Sequence, residues 1–181
     1  SKVGDNYTFT VSSFTNYSVG DILYSGCVNI SDPSTWQNNF KDLGPRYLIN
    51  GTVVLCTDNY TLSKTIALTN NAWLDCNNSF LIGDGSVYSV LRGNLASVSN
   101  VSIFNCNVRN TLGSPVSFVG LQDGIFENIT IANSYNIDMP MHGIAITSAD
   151  SRNILMKEIV ITNLTANRTT GIYINGRDYD I

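Results

Sequence analysis

Val101-Ser-Ile-Phe-Asn-Cys-Asn-Val108, Phe126-Glu-Asn-Ile-Thr-Ile-Ala-Asn133 and Lys157-Glu-Ile-Val-Ile-Thr-Asn163 decide the fold. Each is a short run of alternating apolar and polar residues with Asn toward its end, the pattern of a half-buried strand closed by a turn. Aligning Ile103-Phe-Asn105, Ile131-Ala-Asn133 and Ile161-Thr-Asn163 gives steps of 28 and 30 residues. A second series interleaves with the first: Val116-Ser-Phe118, Ile144-Ala-Ile146 and Ile172-Tyr-Ile174, at steps of 28 and 28. Further back, Trp73-Leu-Asp75-Cys76 precedes Ile103-Phe-Asn105-Cys106 by 30. Two phased series with a common period mark a repeat architecture.

Residues 98–181 show no helical period, only two or three short strands per repeat with Gly- and Asn-rich turns between them. A chain that turns three times in about 28 residues stacks equivalent strands in parallel. The expected fold is therefore all-β: a right-handed parallel β-helix of 28–30 residues per coil, burying a column of Ile, Val, Leu and Phe. A β-sandwich also has many short strands, but it has no fixed residue period. Asn after the inward Ile suits a corner, because Asn tolerates left-handed backbone and its stacked side chains hydrogen-bond from coil to coil.

Outward toward the N-terminus the repeat stops. Lys2 to Ser13 alternates with Tyr7, Phe9 and Val11 on one side, a strand suited to pairing with a second copy and assigned here as the subunit contact. In residues 32–43, Asp32 or Ser34 can cap, Trp36, Phe40 and Leu43 share a helical face, and Gly44-Pro45 ends the segment. A solenoid's first coil needs a lid, so residues 32–43 are expected to form a short capping helix. The division is residues 1–46 as strand and cap, and 47–181 as β-helix. At the far end Gly171-Ile-Tyr-Ile-Asn-Gly-Arg-Asp-Tyr-Asp-Ile181 is still strand-like and shows no cap. Its exposed backbone edge, together with the strand at Tyr7–Ser13, predicts end-to-end polymerisation by a heterologous, non-closing contact. The alternative is that residues 5–13 fold back on their own coils. Asp178 and Asp180 either ligate Ca²⁺ or solvate the end.

Tyr47-Leu-Ile-Asn-Gly-Thr-Val-Val-Leu-Cys56, Asn59-Tyr-Thr-Leu62, Ile66-Ala-Leu68, Trp73-Leu-Asp-Cys-Asn77 and Phe80-Leu-Ile-Gly83 resemble the opening coils of NosD-type, pectin-lyase-like repeat proteins. Val101 to Cys106 is similar to their Val-x-Ile-x-Asn-Cys run, and the match spans about 47–176. Asn78 stands where those repeats usually have Gly. The resemblance implies a β-helix, a structural turn at Asp75 and a buried ladder position at Asn77. Such repeats occur in lyases, adhesins and archaeal surface proteins, so it fixes no function.

Composition narrows the function. Of 181 residues only 13% are charged, while 23 are Asn, 19 Ser and 16 Thr, so amides and hydroxyls build the polar surface. A net charge of −4 with ten scattered Lys and Arg argues against nucleic acid as a partner. No apolar run reaches the ~20 residues of a membrane span. Ser1 reads as a mature end left after signal cleavage or as an expression boundary.

Ten Asn-X-Ser/Thr sequons are present: Asn6, Asn16, Asn29, Asn50, Asn59, Asn77, Asn100, Asn128, Asn163 and Asn167. That is about twice the roughly four that composition gives by chance, and it favours an exported glycoprotein. All but Asn77 are expected to carry glycans, since a sugar does not fit a buried ladder. Four cysteines without a C-x-x-C pair suggest two disulfides rather than zinc or thioredoxin-type redox chemistry. Cys76 and Cys106 lie 30 apart at one place in consecutive coils, where the ~4.8 Å strand spacing falls within the ~4.4–6.8 Å that a disulfide spans. Cys27 and Cys56 then pair by elimination.

No catalytic set emerges. Pectate-lyase-like enzymes use an Arg base with acids holding Ca²⁺, and polygalacturonase-type hydrolases use Asp-Asp and Gly-His-Gly. Neither motif is present, Arg152, Arg168 and Arg177 lack acids at coil spacing, and the single histidine, His142, reads as a turn residue beside Pro140. Asp75 and Asp84 are nine apart and could face one groove, but the resemblance makes Asp75 a structural turn residue. Tyr7, Tyr24, Tyr47, Tyr60 and Tyr173 read as packing residues rather than a row of sugar-stacking rings. The expectation is a non-enzymatic extracellular glycoprotein without cofactor or metal, polymerising into a filament, sheath or surface layer. A carbohydrate-binding or adhesive module is the alternative.

Overall fold

The computed structural model describes residues 26–136, 138–176 and 179–180. They form an all-β parallel solenoid of about five turns, 60% strand and almost without helix. Among the described residues every strand pair is parallel except one.

The coils present three faces. Arg46–Ile49, Thr65–Leu68, Leu91–Gly93, Val116–Phe118, the start of Met141–Thr162 and Thr169–Gly176 stack as the first. Thr52–Val54, Trp73–Asp75, the first halves of Val98–Arg109 and Leu121–Ala132, the middle of Met141–Thr162 and Tyr179–Asp180 stack as the second. Asn59–Leu62, Phe80–Gly83 and the ends of the three long strands stack as the third.

The long strands bend because their alternation is interrupted on schedule. Buried residues in Val98–Arg109 are Val98, Val101, Ile103, Cys106 and Val108, with spacings of three, two, three and two. Leu121–Ala132 repeats the rhythm with Leu121, Gly124, Phe126, Ile129 and Ile131. Each three-residue step contains one residue at positive φ: Asn100 and Asn105, then Asp123 and Asn128. A left-handed residue inserts one outward position and turns the strand onto the next face, and Asn and Asp adopt it at least cost among residues with a Cβ. Among the described residues, twelve non-glycine residues have positive φ, ten of them Asn. Asn77 and Asn78 are consecutive members of this set, at φ +50 and +60.

Two expectations about register are corrected. Ile103 pairs with Phe126 and Val108 with Ile131, a step of 23 rather than 28. Leu74, not Trp73, lies opposite Ile103, a step of 29. The 30-residue step from Ile131 to Ile161 and both 28-residue steps of the second series hold. Earlier coils are shorter: Ile49 pairs with Leu68 and Ile66 with Leu91.

The capping helix is also corrected. Residues 33–35 form one 3-10 turn, with Ser34 N–H donating to Asp32 Oδ1 at 3.0 Å. Phe40–Asp42 is then a strand, antiparallel to Arg46–Ile49, joined through Gly44 at φ +82. The physical reason lies in the edge. An α-helix satisfies its own backbone and leaves the first coil's N–H and C=O groups without partners, whereas a strand pairs with them. Asn50 N–H donates to Asn39 C=O and Leu43 N–H to Arg46 C=O. The apolar residues still form a lid: Trp36, Phe40 and Tyr47 pack with ring centroids 5.3–6.0 Å apart, while Leu43 is left 45% exposed.

Candidate functional site

Both expected disulfides are present: Cys27–Cys56 and Cys76–Cys106, with Cα–Cα distances of 4.8 and 4.9 Å. Each staples neighbouring coils, and two disulfides fit an oxidising, non-cytoplasmic compartment. No helix among the described residues is long and apolar enough to cross a membrane. Tyr60 is buried beside the first staple, its hydroxyl donating to Cys56 C=O at 2.7 Å, and burial pushes its pKa up to about 12.

The corners carry side-chain ladders. Asn105 Nδ2 donates to Asp75 Oδ1 at 3.0 Å, and Asn128 Nδ2 donates to Asn105 Oδ1 at 2.8 Å. Asn100 donates to Asn71 at 3.0 Å, Asn153 to Asp123 at 2.8 Å and Asn163 to Asn133 at 3.1 Å. Each bond links one coil to the coil before it. The repeated Asn of the sequence was the signal for these ladders, but the pairing of columns needs the correct register.

Asn50, Asn59, Asn100, Asn128, Asn163 and Asn167 are exposed. Asn29 is half-buried, its Oδ1 accepting from Ser31 N–H. Asn77 is exposed as well, at φ +50 with its N–H donated to Asp75 Oδ1. The buried position expected for it is thus corrected: the ladder runs along the surface of a corner, not through the core. Asn6, Asn16 and the strand residues Tyr7, Phe9 and Val11 lie outside the described residues, as do Tyr24, Arg177 and Asp178.

The acids weighed for chemistry are spent on turns. Asp75 accepts from Asn77 N–H and Asn105, and Asp84 accepts from Ser86 N–H and Oγ. Those Ser86 bonds hold the Asp84 carboxyl below its ordinary pKa. The two carboxyls belong to different faces. His142 is in a strand rather than a turn, its backbone N–H donating to Ser114 Oγ and its ring stacked on Tyr173 at 4.7 Å. Burial lowers its pKa. Among the described residues no group of three or more His, Cys, Asp or Glu is placed to hold a metal.

One surface feature was not legible in the sequence. Trp73 and Phe104 stand on adjacent coils of the second face, half-buried, with ring centroids 5.2 Å apart. Their spacing of 31 residues hides the contact, because Trp73 pairs with Ser102 and its ring leans across to Phe104.

No protein-family model, characterised protein or solved structure matches the chain. The parallel solenoid rests on the strand pairing described above; the NosD-type resemblance has no family match behind it.

Proposed function

We propose that the protein is an extracellular structural glycoprotein, a self-assembling subunit of a cell-surface filament, sheath or surface layer, in the style of the archaeal surface proteins in which NosD-type repeats occur. The observation that carries this reading is the difference between the two ends of the described solenoid. The N-terminal end is closed by an antiparallel strand and the Trp36–Phe40–Tyr47 lid. At the other end Ile159, Ile161, Leu164, Ile172 and Ile174 pack on the core yet stay only partly buried. Such an edge accepts another coil or strand, and natural sheets keep long edges of this kind covered. In this reading the cover is a second copy, through donation of its strand at Tyr7–Ser13, and the protein has no catalytic role.

Negative-stain microscopy of purified native protein is expected to show filaments, sheets or a lattice; single dispersed copies would overturn the proposal. Deleting residues 1–14 is expected to abolish polymerisation and leave a folded single copy. Unchanged polymers would exclude the N-terminal strand as the joint. The Trp73–Phe104 pair supports a second reading, a carbohydrate-binding module that stacks a sugar on these rings. Polysaccharide binding that is lost in Trp73→Ala would favour it.

A further inference from the structure

The three corners hold a second pattern, laid over the ladders. The first corner column reads Asn71, Asn100, Asp123 and Asn153; the second opens with Asn77 and Asn78, the latter's N–H donating to Asn105 C=O, and continues through Asn105, Asn128 and Glu158; the third reads Asn110, Asn133 and Asn163, all at positive φ. Sequons fall on Asn100 in the first, on Asn77 and Asn128 in the second, and on Asn163 in the third. No column has sequons in consecutive coils, because Asn105 separates Asn77 from Asn128. Neighbouring coils are ~4.8 Å apart, too close for two sugars side by side.

The ladder bonds fall on the same residues with a consistent sense. Asn100, Asn128 and Asn163 are each the donor, through Nδ2, to an asparagine that begins no sequon: Asn71, Asn105 and Asn133. One coil further on stand Asp123 after Asn100 and Glu158 after Asn128, neither of which has an amide to donate. A primary amide has two hydrogens on Nδ2. The ladder uses one, and an N-linked glycan replaces the other.

Resting on the glycoprotein reading, we propose that Asn100, Asn128 and Asn163 do both: they carry N-glycans and remain the ladder donors of their corners. Glycans then leave the body at all three corners without loosening the stack of coils. In the transfer, the bond from the anomeric carbon to the phosphate oxygen of an activated glycosyl phosphate breaks and the bond to Nδ2 forms. One Nδ2 proton is lost, and the phosphate is the leaving group. The hydroxyls that complete the sequons are those of Ser102, Thr130 and Thr165.

The test uses the full chain expressed in its native host. Intact-glycopeptide mass spectrometry is expected to find Asn100, Asn128 and Asn163 modified. Thr130→Ala then removes the glycan and keeps the ladder, whereas Asn128→Asp removes both, since a carboxylate at Asn128 has no hydrogen to give Asn105. Asp tolerates the left-handed corner nearly as well as Asn, so the difference isolates the ladder bond. The melting midpoint of Asn128→Asp is expected to fall about 2–4 °C below that of Thr130→Ala. Equal midpoints would overturn the donor half of the proposal. Glycans found only at sites such as Asn50, Asn59 or Asn167 would overturn it while the glycoprotein reading stands. Bare peptides at all ten sequons would overturn both.

Discussion

Ile144 and Ile172 are the same residue, paired in register on the first face one coil apart, and they differ in burial. Ile144 is fully buried; Ile172 is half-buried, as are Ile174 and the nearby Ile161. At the opposite end Ile49, in the first coil of that face, is as buried as Ile144 because Phe40 is paired beside it. The lesson is that in a solenoid the neighbouring coil, not the residue, confers burial. Stability is then close to a sum over coil interfaces.

The comparison is most severely tested inside the stack. Phe126 is fully enclosed and packs edge-to-face on Phe118 at 5.8 Å. Phe126→Ala is expected to cost ~3–5 kcal/mol in denaturant unfolding. A cost near that of a surface substitution would show that the middle coils are not the stable part. Next, Ile144→Ala is expected to cost ~2–5 kcal/mol, and Ile172→Ala only about half as much in dispersed protein. In the polymer proposed above, the Ile172 penalty should rise to the Ile144 value. If it does not, the end coil is not what the assembly covers.

The corners give a smaller effect. Asn105 sits at φ +53, donates to Asp75 and accepts from Asn128. Asn105→Ala is expected to cost ~2 kcal/mol, from left-handed strain and lost ladder bonds, and Asn105→Gly less because only the bonds are lost. Equal costs would remove backbone strain from the account. Smallest of all is Lys64→Ala, which deletes the 2.7 Å ion pair joining the first coils to Asp42 of the cap. Bonds from Lys64 and from Gly44 N–H hold the Asp42 carboxyl below its ordinary value of 3.8. A depressed carboxyl contributes stability at neutral pH and loses it as pH falls below 3.8 toward its folded value. Acid unfolding of Lys64→Ala should therefore differ from the parent least at low pH and most near neutrality, a small difference for an exposed pair.

Much of this was legible in the sequence, and the misreadings have definite causes. The solenoid followed from the phased apolar series, Cys76–Cys106 from coil spacing, and Cys27–Cys56 from the even count by elimination. The 28-residue step from Ile103 to Ile131 failed because the corner rhythm is itself a five-residue unit. Sliding the pairing by five keeps every inward residue inward, so Ile131 imitates Phe126, and only the hydrogen bonds choose between them. The cap misled for a related reason. Trp36, Phe40 and Leu43 fit a helical face, but their spacing says nothing of the unpaired edge beneath, which selects a strand. The ladders were half-legible: Asn at the corner is a local signal, whereas which Asn meets which depends on registers of 23, 29 and 30 residues.

The ladders also give the molecule a sense of direction in time. Asp75 and Asp123 are carboxylates that can only accept, so Asn105 and Asn153 must donate back toward them, and Asn128 likewise donates to Asn105. Every such bond is made by a later coil onto an earlier one. A chain delivered N-terminus first lays down each row of acceptors before the matching donors emerge. Winding can proceed behind the advancing end one coil at a time, each finished coil serving as the template for the next.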